Sequence, residues 1–196
     1  MEIIGLTGSF GTGKTFAASI FKSLGAEVLD ADKFAHDAIK KGTKAYKNIV
    51  AAFGGDILDK KRSIDRRRLG GIVFKDKEAL KILNSIVHPE VIRIITERIA
   101  ARGKKGGVIV IDAPLFFEAN LEGLADRLVV VKASRENQIK RCSKKFCIDK
   151  EGVLNRIKSQ IPMHRKIGMA DFVIDNDGTK AETRKQVQKI WGKVWR

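Results

Sequence analysis

Cysteine and proline are scarce in this chain: two of the first and three of the second in 196 residues. Cys142 and Cys147 stand five residues apart with no further ligand type nearby, which excludes a disulfide framework and matches no zinc or redox motif. Both read as structural or incidental thiols. With so little proline and no Ser/Gln/Pro-rich tract, the chain is neither disordered nor collagen-like. No apolar run reaches the roughly 18 residues of a membrane-spanning helix. The start of the chain has no basic stretch followed by a long apolar one, and together with the thiols this leads us to expect a cytoplasmic protein. Acidic residues are in the minority, 23 Asp and Glu against 39 Lys and Arg, for a net charge of +16. That surplus attracts polyanions, whether nucleic acid, a phospholipid surface or a phosphorylated metabolite, without choosing among them. The basic runs, such as Lys60-Lys61-Arg62, Arg66-Arg67-Arg68 and Arg102 with Lys104-Lys105, are spread along the chain and read mostly as a solvated face.

What is present is a regular alternation. Short runs rich in β-branched residues occur at 3–7, 27–29, 108–111, 128–131 and 172–174, each of a length and composition suited to a buried strand. Between them the apolar residues recur at helical spacing, over 15–24, 31–40, 44–53, 76–87, 89–102, 134–146, 150–161 and 179–195. Near-continuous apolar strands separated by helices predict an α/β fold of three layers around a mostly parallel sheet. The stretch between the second and third strands is mainly helical and reads as an insert. Residues 141–168 are helical by pattern, basic, and poor in strong core positions, as a mobile flap would be.

Gly8-Ser9-Phe10-Gly11-Thr12-Gly13-Lys14-Thr15 fits G-x-x-x-x-G-K-[ST] and lies directly after a β-run and ahead of an amphipathic helix. Glycines at 8, 11 and 13 let backbone N–H groups of the loop, Thr12 included, turn toward phosphate oxygens at the positive end of the helix. Lys14 reaches the β- and γ-phosphates in such a loop, and the Thr15 hydroxyl ligates Mg²⁺. The motif predicts a nucleoside triphosphate, with ATP and Mg²⁺ as the working pair. The second strand runs into Asp30-Ala31-Asp32. These acids either take a proton from an attacking hydroxyl, hold the metal, or cap the helix that follows. The third strand ends on Asp112, which reads either as a metal ligand acting through water or as a loop cap.

Taken in order, several segments resemble the dephospho-coenzyme A kinase family along nearly the whole chain. They are Gly5 to Gly8 leading into the phosphate loop, Asp30-Ala31-Asp32, Phe53-Gly54, Arg66-Arg67-Arg68-Leu69, Val73-Phe74, Leu83 through His88-Pro89, Asp112 through Glu118, Gln138 to Arg141, Arg156-Ile157 with Gln160, and Ala170 through Asn176. The phosphate loop is common to many folds, whereas the ordered Asp-x-Asp, His-Pro and Pro-Leu-x-x-Glu are narrower. The resemblance implies a P-loop kinase fold with a five-stranded sheet. The core is expected at about 1–33, 107–140 and 169–196, a helical acceptor-binding insert at about 34–106 and a lid at about 141–168. It implies transfer of the ATP γ-phosphoryl group to the ribose 3′-hydroxyl of dephospho-CoA. By resemblance, Asp32 is the base, Arg66 and His88 belong to the acceptor domain, and Pro114 and Leu115 adjoin the acceptor. Arg141 and Arg156 belong to the lid over ATP, and Asn176 with Gly178 forms the turn beside the adenine. No specific nucleic acid or membrane partner is implied, and the molecule is expected to be a monomer or small homo-oligomer.

Two positions depart from the pattern. Phe16 replaces a residue that is often hydroxylic, and Lys145-Phe146 stands where an Arg-Asp pair is common; a lysine there keeps the charge but loses the bidentate fork. Other readings are set apart by specific residues. A P-loop kinase of another nucleotide or small hydroxyl metabolite would share the loop, insert and lid. A GTPase would need a guanine-reading Asn-Lys-x-Asp, which is missing. A nucleic-acid module rests on charge alone. His36 and His164 lack metal-spaced partners, and Trp191 with Trp195 reads as a helix docking face.

Overall fold

The computed structural model describes residues 1–73, 75–103 and 106–195; Phe74, Lys104, Lys105 and Arg196 lie outside the described residues. Five strands, β1 (Glu2–Gly8), β2 (Glu27–Asp30), β3 (Val108–Asp112), β4 (Arg127–Lys132) and β5 (Phe172–Asp175), form one sheet in the order β2-β3-β1-β4-β5. Every pairing is parallel, with Ile4 opposite Val110 on one side and Arg127 on the other. The strands therefore all end at one edge, where α/β sheets take their ligands.

The helices are α1 (Lys14–Ser23), α2 (Ala31–Ala38), α3 (Lys44–Phe53), α4 (Arg66–Val73), α5 (Lys77–Gly103), α6 (Arg135–Phe146), α7 (Lys150–Lys158), α8 (Met163–Gly168) and α9 (Lys180–Val194). Ile4, Leu6, Val108, Val110, Val129 and Val131 alternate along their strands and pack against Ala17, Phe21, Val187 and Ile190 of α1 and α9. On the other face the Phe116 ring lies so close over Gly5 that a Cβ there would have no room. Among the described residues, no helix is long and apolar enough to cross a membrane.

The chain divides into two compact units, Met1–Asp30 with Ile99–Arg196, and Ala31–Arg98. The second unit has its own core, in which Ile49, Ile57, Leu69, Val73 and Ala79 are buried. Two of its helices differ from expectation. The segments 76–87 and 89–102 are one helix, α5, with Pro89 inside it. Leu83, Ile86 and Val87 ahead of the proline are packed into that core, and Val91 and Ile95 beyond it are buried, so packing on both sides outweighs the bias of a residue before proline against helix. The helix α4 was not expected because Gly70-Gly71 forms helix poorly and Arg66-Arg67-Arg68 carries no apolar periodicity; Asp65 accepts from the N–H groups of Arg67 and Arg68, and Leu69 and Val73 anchor it.

Candidate active site

The phosphate loop leaves β1 at Gly8 and enters α1 at Lys14. Gly13 at φ 86° and Gly11 at φ 81° hold left-handed conformations that side chains resist, and a Cβ on Gly13 would collide with the Asn176 amide. The loop's carbonyls are taken by the protein. Thr12 Oγ1, itself buried, donates to the Ser9 carbonyl at 2.9 Å, Gln138 Nε2 to that of Phe10 at 2.8 Å and Asn176 Nδ2 to that of Thr12 at 2.8 Å. Gln160 Oε1 accepts from the Ser9 hydroxyl at 2.8 Å and from the Phe10 N–H at 3.0 Å. Among the described residues, the N–H groups of Gly11, Gly13, Lys14 and Thr15 make no backbone hydrogen bond, whereas that of Thr12, expected to face phosphate, is taken by the Ser9 carbonyl at 3.2 Å. Four donors at a helix N-terminus are thus left for an anion.

The Lys14 ammonium donates to Asp112 Oδ1. Asp112 is 6% exposed, and burial pushes its carboxyl above the usual value against the pull of Lys14, with the Asp30 carboxylate adding to the rise. Asp30 and Asp112 are register partners at the ends of β2 and β3. Thr15 stands exposed in the first turn of α1. Asp32 does not share a strand with Asp30: β2 stops at Asp30, and Asp32 lies in the first turn of α2, in the unit Ala31–Arg98. That unit also carries Arg66, exposed at the start of α4, and His88, half-buried in α5. Beyond β3, the Pro114 carbonyl accepts from Thr7 Oγ1 at 3.4 Å and from Lys166 Nζ at 2.9 Å, and Leu115 is exposed.

The basic segment beyond β4 has more core than its sequence suggests. Cys142, Val153 and Ile157 are buried together with Phe10, Ile139 and Ile148 against them, so the phosphate loop contributes a side chain to this cluster. Phe10 stacks on Phe146 with centroids 5.4 Å apart, and the Arg156 guanidinium lies 5.2 Å from the Phe10 ring. Arg141 Nη2 donates to the Asn176 carbonyl at 2.7 Å, while Nη1, buried and without a partner among the described residues, lies close to Gly13. Asn176 Oδ1 accepts from Thr183 Oγ1 at 2.8 Å, so its side chain braces the loop rather than facing outward. A Cβ on Gly178 would run into the Glu182 carboxylate, which accepts from Thr179 in a capping box. Lys166 is the residue that sequence reasoning passed over: within His164-Arg165-Lys166 it reads as one more surface base, and only its burial distinguishes it.

The dephospho-CoA kinase family profile matches residues 2–182, which is most of the chain. The chain belongs to the dephospho-CoA kinase family. A family member from Carboxydothermus hydrogenoformans is 40% identical over 191 residues, covering 97% of this chain and 93% of that protein. One from Aquifex aeolicus is 40% identical over 196 residues, covering 100% and 99%, and one from Arabidopsis thaliana is 36% identical over 206 residues, covering 100% and 89%. The dephospho-CoA kinase of Campylobacter jejuni superposes with a TM-score of 0.74 at 31% identity over 99% of this chain and 98% of its own. Outside the family, an Acinetobacter baumannii shikimate kinase covers 99% of this chain and 93% of its own at 18% identity and TM-score 0.56, a likeness of fold alone.

Proposed function

We propose that this chain transfers the γ-phosphoryl group of ATP to the ribose 3′-hydroxyl of dephospho-CoA, giving coenzyme A and ADP. One observation carries the nucleotide half of this reading: four unspent loop N–H groups, the Lys14 ammonium and the orphaned Arg141 Nη1 are gathered around one turn. An unpartnered buried guanidinium nitrogen is costly, and a phosphate oxygen would satisfy it. Lys14 would exchange Asp112 for the β- and γ-phosphates. Arg156, stacked over the Phe10 ring of the phosphate loop, is exposed and would belong to the lid over ATP. Asn176 and Gly178 would form the wall beside the adenine.

The donor set suits Mg²⁺. The Thr15 hydroxyl and Asp112, the latter through water, offer hard oxygen ligands, and an ion that keeps several waters and takes phosphate oxygens needs no closed protein cage. Among the described residues, no group of three or more His, Cys, Asp or Glu side chains is placed to hold a metal ion by itself. When bound, the ion would neutralise charge on the transferring group.

The acceptor half comes from family membership. Asp32 would receive the proton of the 3′-hydroxyl as the oxygen attacks, and Arg66, His88, Pro114 and Leu115 would hold the acceptor. The remaining work is positioning and exclusion of water, which suits a basic lid. The reading is completed by a cytoplasmic setting and a monomer or small homo-oligomer. It is tested by measuring ADP release with dephospho-CoA, adenosine, AMP, CMP and shikimate as acceptors. Turnover with dephospho-CoA at least about tenfold above the others in kcat/KM is expected. Preference for any other acceptor would overturn it.

A further inference from the structure

A lysine with no solvent exposure is expensive, because the ammonium surrenders its hydration and recovers it only through acceptors around it. Lys166 in α8 is such a residue, at 0% exposure. Its Nζ donates to the Pro114 carbonyl at 2.9 Å, reaches the Gly8 carbonyl at 3.5 Å and lies 4.0 Å from Glu118 Oε1. Burial depresses its proton affinity, Glu118 opposes this, and Lys14 is near enough to add to the depression.

The acceptors are informative. Gly8 is the last residue of β1, six positions before Lys14, and Pro114 comes two residues after Asp112. A single ammonium therefore bridges the chain leading to Lys14 and the chain leaving Asp112. Glu118, four residues beyond Pro114, accepts from the Ile161 N–H at 3.0 Å, so the segment entering α8 is tied to the same stretch. A neutral apolar side chain would fill this space at no cost in charge, and replacing a buried ion pair by apolar groups is often neutral for stability. Here the cation spends its hydrogen bonds on the two chain segments that carry Lys14 and Asp112.

We propose that Lys166 is a positioning residue for phosphoryl transfer: by holding the Gly8 and Pro114 carbonyls it keeps the Lys14-bearing turn and the Asp112-bearing strand end in register. This rests on the kinase reading above. Lys166 touches neither substrate; it acts through Lys14 and Asp112.

The test compares the parent with the double variant Lys166→Met, Glu118→Gln, which removes both charges while glutamine keeps an acceptor for Ile161. With dephospho-CoA and ATP varied separately, the double variant should melt within about 3 °C of the parent. Its kcat should nevertheless fall about tenfold or more, with KM for dephospho-CoA within about threefold. A folded double variant with kcat within about twofold of the parent overturns the inference, as does a kcat loss matched by loss of folded protein in circular dichroism. Should the double variant not fold, Lys166→Gln serves, since it retains a donor for Pro114 without the charge. A reduced kcat at parental KM for dephospho-CoA supports the inference, and parental kcat overturns it. A parent inactive toward dephospho-CoA overturns the functional reading and this inference with it, whereas an active parent with unaltered variants overturns this inference alone.

Discussion

Lys14 pairs with Asp112, and the role proposed for it is to grip a phosphate. Burial pushes the Asp112 carboxyl above its usual value, so once Lys14 leaves, a proton or an incoming cation can take up its charge. Lys14→Ala should therefore leave the fold in place and lower kcat/KM on the order of a thousandfold, measured by coupled ADP release. Asp32→Asn separates chemistry from binding. Its kcat should fall on the order of a hundredfold or more, while ATP affinity, read by titration calorimetry, stays within about threefold. Equal losses in both would remove Asp32 from the proton-accepting role. At this scale the sequence was most informative where a motif has a fixed backbone geometry: the glycines at 11 and 13 sit at the positive φ their spacing demands. It was least informative for side chains whose role depends on what surrounds them. Asn176 looks like part of an exposed turn but is spent bracing Thr12 and Thr183, and Lys166 looks like surface.

Elements meet the site through their ends. The N-terminus of α6 is pinned by Asp177, whose two carboxylate oxygens accept from the Ser134 N–H at 2.7 and 2.9 Å and, through Oδ1, from Asn137 Nδ2 at 2.8 Å. The Asn137 side-chain hydrogen bond, and next the Ser134 N–H, hold its carboxyl below the usual value. A carboxylate depressed in the folded state stabilises above its unfolded value of about 3.9, and the contribution disappears as pH falls through the folded value. Asp177→Asn should accordingly lower Tm at neutral pH, and the gap to the parent should close as pH approaches about 2, as followed by thermal melts across pH. Most of the alternation of strand and helix was legible because short β-branched runs and the 3.6-residue spacing are both strong in this chain. What failed did so for local reasons. Pro89 suggested a break that flanking packing overrides, the Gly70-Gly71 pair hid α4, and a lid reading as core-poor has Val153 and Cys142 buried against Phe10. That last contact was invisible because it joins residues more than a hundred positions apart.

For the whole molecule, a surplus of 16 positive charges invites a nucleic-acid reading that the site does not share. Charge spread over a surface binds polyanions through counterion release alone, so affinity for random-sequence RNA should collapse between about 50 and 200 mM salt, while phosphoryl transfer persists. Fluorescence anisotropy beside the kinase assay separates the two; tight RNA binding at the higher salt would reopen the question.

The strand order has a consequence during synthesis. Glu2 pairs with Val108, and Ile4 with Arg127, so the middle ribbon of the sheet leaves the ribosome long before either neighbour. The segment 31–98, with an interior of its own, matures in the interval, while the first strand waits with both flanks bare. Nascent chains halted ahead of Arg127 should pellet on centrifugation unless a chaperone shields that ribbon, and the Thr12 carbonyl has no Asn176 amide to accept from until that residue has been translated.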